Sequence, residues 1–175
     1  PSGVEWLGDV PEHWEVKQLR FLLRGGLCNG LFKTKDKYGR GFPLVNVKDI
    51  YQDDYQVRTA TLKRVEASPG ESESFAVSAG DIFFVRSSLK LEGTGRCAFI
   101  DDLGEPTVFE CHLVRGRPDK KQVIPRFLTY LLNSASINSA LVSRANTVTM
   151  STLPQGQIAS QRLPVPPPNE QISIL

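Results

Sequence analysis

Leu163-Pro164-Val165-Pro166-Pro167-Pro168-Asn169-Glu170-Gln171-Ile172 carries three instructions in succession. Leu163 and Val165 predict a short apolar strand. Pro166 to Pro168 can neither donate to a ladder nor continue a helix, so they force an extended exit. Asn169 then supplies an N-cap, and Glu170 puts a carboxylate in the first helical turn, where the helix dipole favours it. Ile172 and Leu175 begin an apolar stripe at i, i+3. A helix start with so little helix after it predicts one globular piece of a longer protein: a domain over 1–168, and over 169–175 the opening of a helix that continues elsewhere.

Working back from that exit, Pro125 suits the first position of a helix, and Phe127, Leu128, Tyr130, Leu131 and Leu132 give it an apolar face. A second helical piece follows over 137–141, then a polar stretch over 144–156 leads to a closing strand near Ile158 and Leu163. Ile82-Phe83-Phe84-Val85 is a continuous apolar run that predicts a buried strand. Cys97-Ala98-Phe99-Ile100 is its hairpin partner across a polar loop, and 107–114 is a further strand. Residues 42–50 and 55–65 alternate as strands do, 29–41 reads as a long basic loop, and 68–74 as a turn-rich connection. Over 16–23 the apolar positions Val16, Leu19, Leu22 and Leu23 have helical spacing, stopped by Gly25-Gly26; a strand beginning at Val16 competes. Trp6 and Trp14 read as anchors of an N-terminal loop. The order of elements predicts α+β rather than βαβ units: a single mixed domain with a curled β-rich core and helices near both ends.

The chain of 175 residues can bury a substantial core, and 40% apolar with 23% charged residues is ordinary for a globular protein. No apolar run reaches membrane-spanning length, and residues 1–14 are acidic with two tryptophans, unlike a secretory signal. Three widely spaced cysteines, Cys28, Cys97 and Cys111, argue against a disulfide scaffold and fit a reducing, cytoplasmic setting. With only His13 and His112, a metal site is poorly supported; Cys111 and His112, as neighbours on a strand, would face apart.

The net charge of +2 hides segregation. Lys17, Arg20, Arg24, Lys33, Lys35, Lys37 and Arg40 form one basic block, and Arg115, Arg117, Lys120, Lys121 and Arg126 another. Local blocks rather than net charge are what a polyanion feels. Lys33-Thr34-Lys35-Asp36-Lys37-Tyr38-Gly39-Arg40 reads either as a solvated loop or as a nucleic-acid contact, with cations to phosphates and Arg40 or Tyr38 to a base edge. Gly93-Thr94-Gly95 is no dinucleotide fingerprint: it lacks the third glycine and opens no helix. It reads as a turn whose N–H groups could meet a phosphate, with Arg86-Ser87-Ser88 and Arg96 beside it. The proline run has the composition of a polyproline ligand, but the helix cap directly after it makes it a rigid spacer. No nucleophile elbow, phosphate loop or carboxylate spacing marks a catalytic centre.

Together these landmarks resemble a known family. Gly3-Val4-Glu5-Trp6-Leu7-Gly8-Asp9-Val10-Pro11-Glu12-His13-Trp14-Glu15-Val16 resembles the opening of a target-recognition domain of type I restriction-modification specificity subunits. Gly80-Asp81-Ile82-Phe83-Phe84-Val85-Arg86-Ser87-Ser88 with Glu92-Gly93-Thr94-Gly95-Arg96-Cys97-Ala98 resembles the family's central hairpin. Pro125-Arg126-Phe127-Leu128-Thr129-Tyr130-Leu131-Leu132-Asn133-Ser134 resembles its helix, and 163–171 its exit into a spacer helix. The resemblance implies a non-catalytic module that reads one half of a split double-stranded DNA target. Modification subunits using S-adenosylmethionine and restriction subunits that consume ATP with Mg would be the partners, so no cofactor or metal is expected in this chain. DNA contacts are expected from Lys33, Lys35, Lys37, Tyr38 and Arg40 in the first loop, from Arg86, Ser87, Ser88, Lys90 and Arg96 in the hairpin, and from Arg144, Asn146 and Thr147 in the late loop. A second expectation is a protein-interaction scaffold that docks modification subunits through Trp6, Trp14 and the proline segment. A stand-alone hydrolase or methyltransferase is disfavoured by the missing motifs.

Overall fold

In the computed structural model, residues 3, 7–88, 93–147 and 151–175 are described, Thr147 by its backbone only. Strand β5 (Ile82–Val85) lies at the centre, and all four of its side chains are inaccessible to solvent. It pairs antiparallel with β9 (Leu113–Pro118) on one side and β7 (Cys97–Phe99) on the other, and β2 (Leu23–Asn29) closes the far edge, giving the order β2-β9-β5-β7. The run is apolar throughout because both of its faces are covered. Ile82 and Phe84 join the core built by α2 (Pro125–Asn133) and α3 (Ala135–Val142), with Leu128, Leu132, Ile137 and Leu141. Phe83 and Val85 face the opposite core, with Val45, Ile50, Phe109 and Leu113; the Phe83 and Phe109 rings lie 5.4 Å apart.

That second core is roofed by a smaller sheet. Its middle strand β3 (Tyr38–Val45) pairs antiparallel with β4 (Lys63–Val65) and parallel with β8 (Val108–Phe109). Two further pairings complete the frame. β1 (Glu15–Gln18) runs antiparallel to β12 (Arg162–Val165), and a ribbon of β6 (Ser87–Ser88), β11 (Ser151–Thr152) and β10 (Asn146–Thr147) extends from the hairpin. The mixed α+β architecture therefore stands, with α1 (Pro69–Ser74), α4 (Gln155–Ala159) and α5 (Pro168–Ile174) as short helices around the sheets.

Several local expectations are corrected. Residues 16–23 are not an α-helix: β1 is followed by a single 3-10 turn, Leu19–Leu22, and then by β2. The i, i+3 pair of Leu19 and Leu22 fits that turn as well as a helix, and the pairing with β12, together with the Leu19 N–H donated to the Gln161 carbonyl (2.8 Å), decides the outcome. Gly25 and Gly26, at φ +76° and +74°, do not stop the segment; they make a bulge that shifts register between Leu23 and Leu27. The basic loop ends earlier than expected, at Tyr38, where β3 begins. Residues 55–65 are mostly irregular, with strand only at Lys63–Val65. The stretch 107–114 splits into β8 and β9 because a turn intervenes, with the Glu110 carboxylate accepting the His112 N–H (3.1 Å). Residues 68–74 hold α1, nucleated by a capping box: the Ser68 hydroxyl accepts the Glu71 N–H and the Glu71 carboxylate accepts the Ser68 N–H, with Pro69 in the first turn. Ile158 lies in α4 instead of the closing strand.

At the exit, Asn169 is not the N-cap. The helix begins at Pro168, with Pro167 in the cap position, because a proline fits the first turn, where no N–H is needed. Glu170 and Gln171 lock the helix down. Gln171 is fully buried; its Oε1 accepts the Ile124 N–H (2.8 Å), and its Nε2 donates to the Gln122 (3.0 Å) and Pro166 (2.9 Å) carbonyls. The Glu170 carboxylate meets His13 Nε2 at 2.7 Å and accepts the Trp14 indole N–H at 3.0 Å. Trp14 thus anchors the N-terminal segment as expected, while Trp6 lies outside the described residues.

Candidate nucleic-acid interface

Two of the three expected contact segments meet on one ribbon. β11 pairs Ser151 with Ser88 and Thr152 with Ser87, and its other edge pairs Thr152 with Asn146 and Ser151 with Thr147. Arg86 leads into this ribbon: its N–H donates to the His112 carbonyl and its own carbonyl accepts the Leu153 N–H, both at 2.8 Å. Arg86, Ser87, Ser88, Asn146 and the backbone of Thr147 are therefore held in register by main-chain pairing. Arg144, just before β10, is half-buried at the end of α3, where its N–H reaches the Leu141 carbonyl (3.1 Å). Lys90 lies outside the described residues.

The turn over residues 110–112 borders both the ribbon and the first loop. On the loop side, Leu31 bridges to Glu110 and donates its N–H to the Phe109 carbonyl (2.8 Å), and the Asn29 Oδ1 accepts from the Gln155 side chain (2.8 Å) beside β11. The Tyr38 phenol is raised above its usual value, first by burial and then by the negative charge of Glu110. On the ribbon side is Arg86. The turn over 110–112 thus links the first loop, through Leu31, to the ribbon of Arg86, Ser87 and Asn146.

The cations of the first loop are largely spoken for. Lys33 Nζ lies 2.8 Å from Glu71, Lys37 is 3.6 Å from both Asp36 and Glu66, and Arg40 pairs with Glu66. Among the described residues, Lys35 has no acid in ion-pair range, so its ammonium is not neutralised within the chain. Arg96 is likewise committed. Its guanidinium sits 5.1 Å from the Tyr55 ring centroid and 5.9 Å from that of Tyr51, and it donates to the Gln52 carbonyl (3.2 Å). In the neighbouring turn the Gly95 N–H is used on the Val85 carbonyl (2.9 Å), so the glycine turn does not offer that donor to a phosphate.

The second basic block loses two members to the core. Arg117 holds Asp81 with two bonds, at 2.8 and 3.0 Å, and Arg115 approaches the same carboxylate at 3.9 Å while its guanidinium covers the Phe109 ring. These arginines fasten β9 to the residues before β5, and the Asp81 carboxylate offsets part of their charge.

What sequence reasoning missed at this face is the turn itself. Cys111 and His112 are not on a strand, so the alternation that would set them apart does not apply. The ligand-type atoms of Glu110, Cys111 and His112 all lie within 4.8 Å of one another. Burial and the neighbouring Glu110 push the Cys111 thiol up, away from the thiolate. Gln155 was missed as well; it joins the face through Asn29, 126 residues away, and no sequence spacing signals such a contact.

The Lys33–Glu71 pair carries a pH prediction. The Lys33 ammonium, with the Ser68 N–H, holds the Glu71 carboxyl at about 2 against an ordinary 4.5. A folded-state value below the unfolded one contributes stability that is present above pH 4.5 and is lost as pH falls toward about 2. Lys33→Met should therefore flatten the acid limb of the stability profile in that window and leave its slope at neutral pH unchanged. Urea midpoints measured at a series of pH values read this directly.

Comparison with known proteins agrees with the architecture. Residues 11–175 match the family model described as the type I restriction modification DNA specificity domain. A protein of Methanocaldococcus jannaschii assigned as the specificity subunit of type I restriction enzyme MjaX is 29% identical over 172 residues, covering 96% of this chain and 39% of that protein. The type I restriction enzyme EcoKI specificity subunit of Escherichia coli is 25% identical over 174 residues, covering 98% of this chain and 37% of that protein. The chain spans about two-fifths of the length of these relatives. The HsdS subunit of Thermoanaerobacter tengcongensis shares the fold, with a TM-score of 0.69 at 16% identity over 95% of this chain and 41% of that one. No helix among the described residues is long and apolar enough to cross a membrane. On the match to residues 11–175, the chain belongs to the type I restriction-modification DNA specificity domain family.

Proposed function

We propose that this chain reads, in double-stranded DNA, one half of a bipartite target, as the recognition domain of a type I specificity subunit. The observation that carries the reading is the meeting of segments distant in sequence: the first loop, which Leu31 joins to the turn over 110–112, and the Arg86–Ser88 and Asn146–Thr147 ribbon, which Arg86 joins to the same turn. Strand pairing fixes their relative positions, which base-edge hydrogen bonding requires. Lys35, Arg86 and Arg144 would neutralise phosphates and set register, while Ser87, Ser88, Asn146 and Tyr38 would face base edges.

In this reading the domain works without catalysing a reaction. Its partners are modification and restriction subunits, which carry the S-adenosylmethionine, ATP and Mg chemistry in the cytoplasm. The scaffold reading loses one of its anchors, because the Trp14 indole N–H is committed to Glu170 within the chain.

Binding measured against salt tests the electrostatic part. In the assembled full-length complex, Lys35→Glu should weaken binding to preferred and scrambled duplexes alike and lower the magnitude of the log–log salt slope by at least about 1. An unchanged slope would remove Lys35 from the interface.

A further inference from the structure

Phe32 stands 73% exposed, the most exposed of the large apolar side chains among the described residues. Single exposed apolar residues are common and carry no meaning alone. What sets Phe32 apart is how its backbone is held. On one side Leu31 is buried to 4%, bridges to Glu110 and donates to the Phe109 carbonyl, while Gly30 lies flat against the same backbone. On the other side Lys33, only 19% exposed, is tied to Glu71, and Thr34 closes the following 3-10 turn by accepting the Lys37 N–H (3.0 Å). The ring is thus presented from a fixed pedestal, which lowers the ordering cost of using it in a contact. The pedestal borders the turn over 110–112, and therefore the face proposed to read DNA.

We propose that Phe32 is a specificity-determining residue that makes an apolar contact with the bases of the bound duplex. The inference rests on the DNA-recognition reading. Two geometries share this chemistry: packing on the 5-methyl of a thymine, or wedging between two base pairs. A protein partner fits the site less well. Lys33 and Lys35 follow the ring in sequence, and its pedestal packs on the turn that Arg86 joins to the Ser87, Ser88 and Asn146 ribbon, surroundings that suit a groove contact.

The test compares the assembled full-length complex with its Phe32→Ala, Phe32→Leu and Phe32→Tyr variants on preferred and scrambled duplexes. Phe32→Ala should weaken the preferred duplex by roughly tenfold, weaken the scrambled one much less, and leave the salt slope unchanged because no charge is removed. Phe32→Tyr, which keeps the ring, should retain binding, and Phe32→Leu should fall between. Replacing thymine by uracil through the half-site distinguishes the two contacts. If one methyl removal reproduces the loss and Phe32→Ala adds nothing on that duplex, the contact is with the methyl. If none does, enhanced 2-aminopurine fluorescence on binding, absent with Phe32→Ala, marks the wedge. Equal affinity of wild type and Phe32→Ala for a duplex that wild type prefers would overturn the Phe32 assignment alone, as would an equal loss on both duplexes. Failure of Phe32→Ala to assemble with modification subunits at unchanged DNA affinity would assign Phe32 to a protein contact and overturn it too. A wild-type complex with no preference among duplexes would instead bring down the DNA-recognition reading beneath it.

Discussion

Asp81→Ala is expected to lower the unfolding free energy by about 3 kcal/mol, seen as a lower urea midpoint at unchanged m-value. Asp81 is fully buried. Its carboxylate accepts two bonds from Arg117 and the Ser78 N–H (2.8 Å), with Arg115 at 3.9 Å. Removing one partner of a buried pair leaves the others uncompensated, which costs about 3–5 kcal/mol in well-buried cases. The lower end applies because the Arg117 side chain is 35% exposed and water can solvate it. In a domain of this size the loss corresponds to a fall in melting temperature of roughly 10 °C. Pairing Asp81→Leu with Arg117→Leu should recover part of the loss, since the orphaned charge is then gone. A midpoint for Asp81→Ala equal to wild type would show that the pair is not structural and would return Arg117 to the surface.

Gly30→Ala should be comparably damaging, for a steric reason. A Cβ at this position would lie 2.2 Å from the Glu110 carbonyl oxygen, 2.5 Å from its carbonyl carbon and 2.5 Å from the Phe109 oxygen. These are backbone atoms on a paired segment, so no side chain can swing aside. Either the Leu31–Glu110 bridge opens or the turn over 110–112 shifts. Overpacking typically costs 1–3 kcal/mol, and a clash with backbone on this scale should cost about 3 kcal/mol. Because residue 30 supports both the Phe32 pedestal and that turn, DNA affinity should fall along with stability. Gly104→Ala, where a methyl would meet nothing within 4 Å, is the control and should lie near wild type. If Gly30→Ala matched that control in urea unfolding, the close packing of the first loop against the turn would be contradicted.

The core was legible where local rules and tertiary context agree. Ile82-Phe83-Phe84-Val85 announced a doubly covered strand because every position is apolar, and Pro125 with the face of Phe127, Leu128 and Leu132 announced α2. Legibility failed where one spacing serves two structures, as with Leu19 and Leu22 in a 3-10 turn. It failed again at Ser68 and Glu71, whose capping box was in plain view but opened a helix of only six residues with no apolar stripe.

The candidate site was half legible. Residue types marked the loops, and strand pairing then joined two of them. Which charges are free could not be read, because the partners lie far away in sequence: Lys33 finds Glu71 38 positions on, and Arg117 finds Asp81 36 positions back. A block of like charge in sequence is thus a poor guide to a field on the surface until its partners are known. The contribution of the 110–112 turn had no sequence signal, since its links run through Leu31 and Arg86, far from it in sequence.

The claim that this face reads one half-site is tested most directly by selecting duplexes from a random pool with the assembled complex carrying this chain, and again with Ser87→Ala and Asn146→Ala introduced together. The expected result is a bipartite motif for wild type in which the double variant relaxes positions in one half and leaves the other half intact. A wild-type complex that enriches no motif, or a motif that the double variant leaves unchanged in both halves, would contradict it.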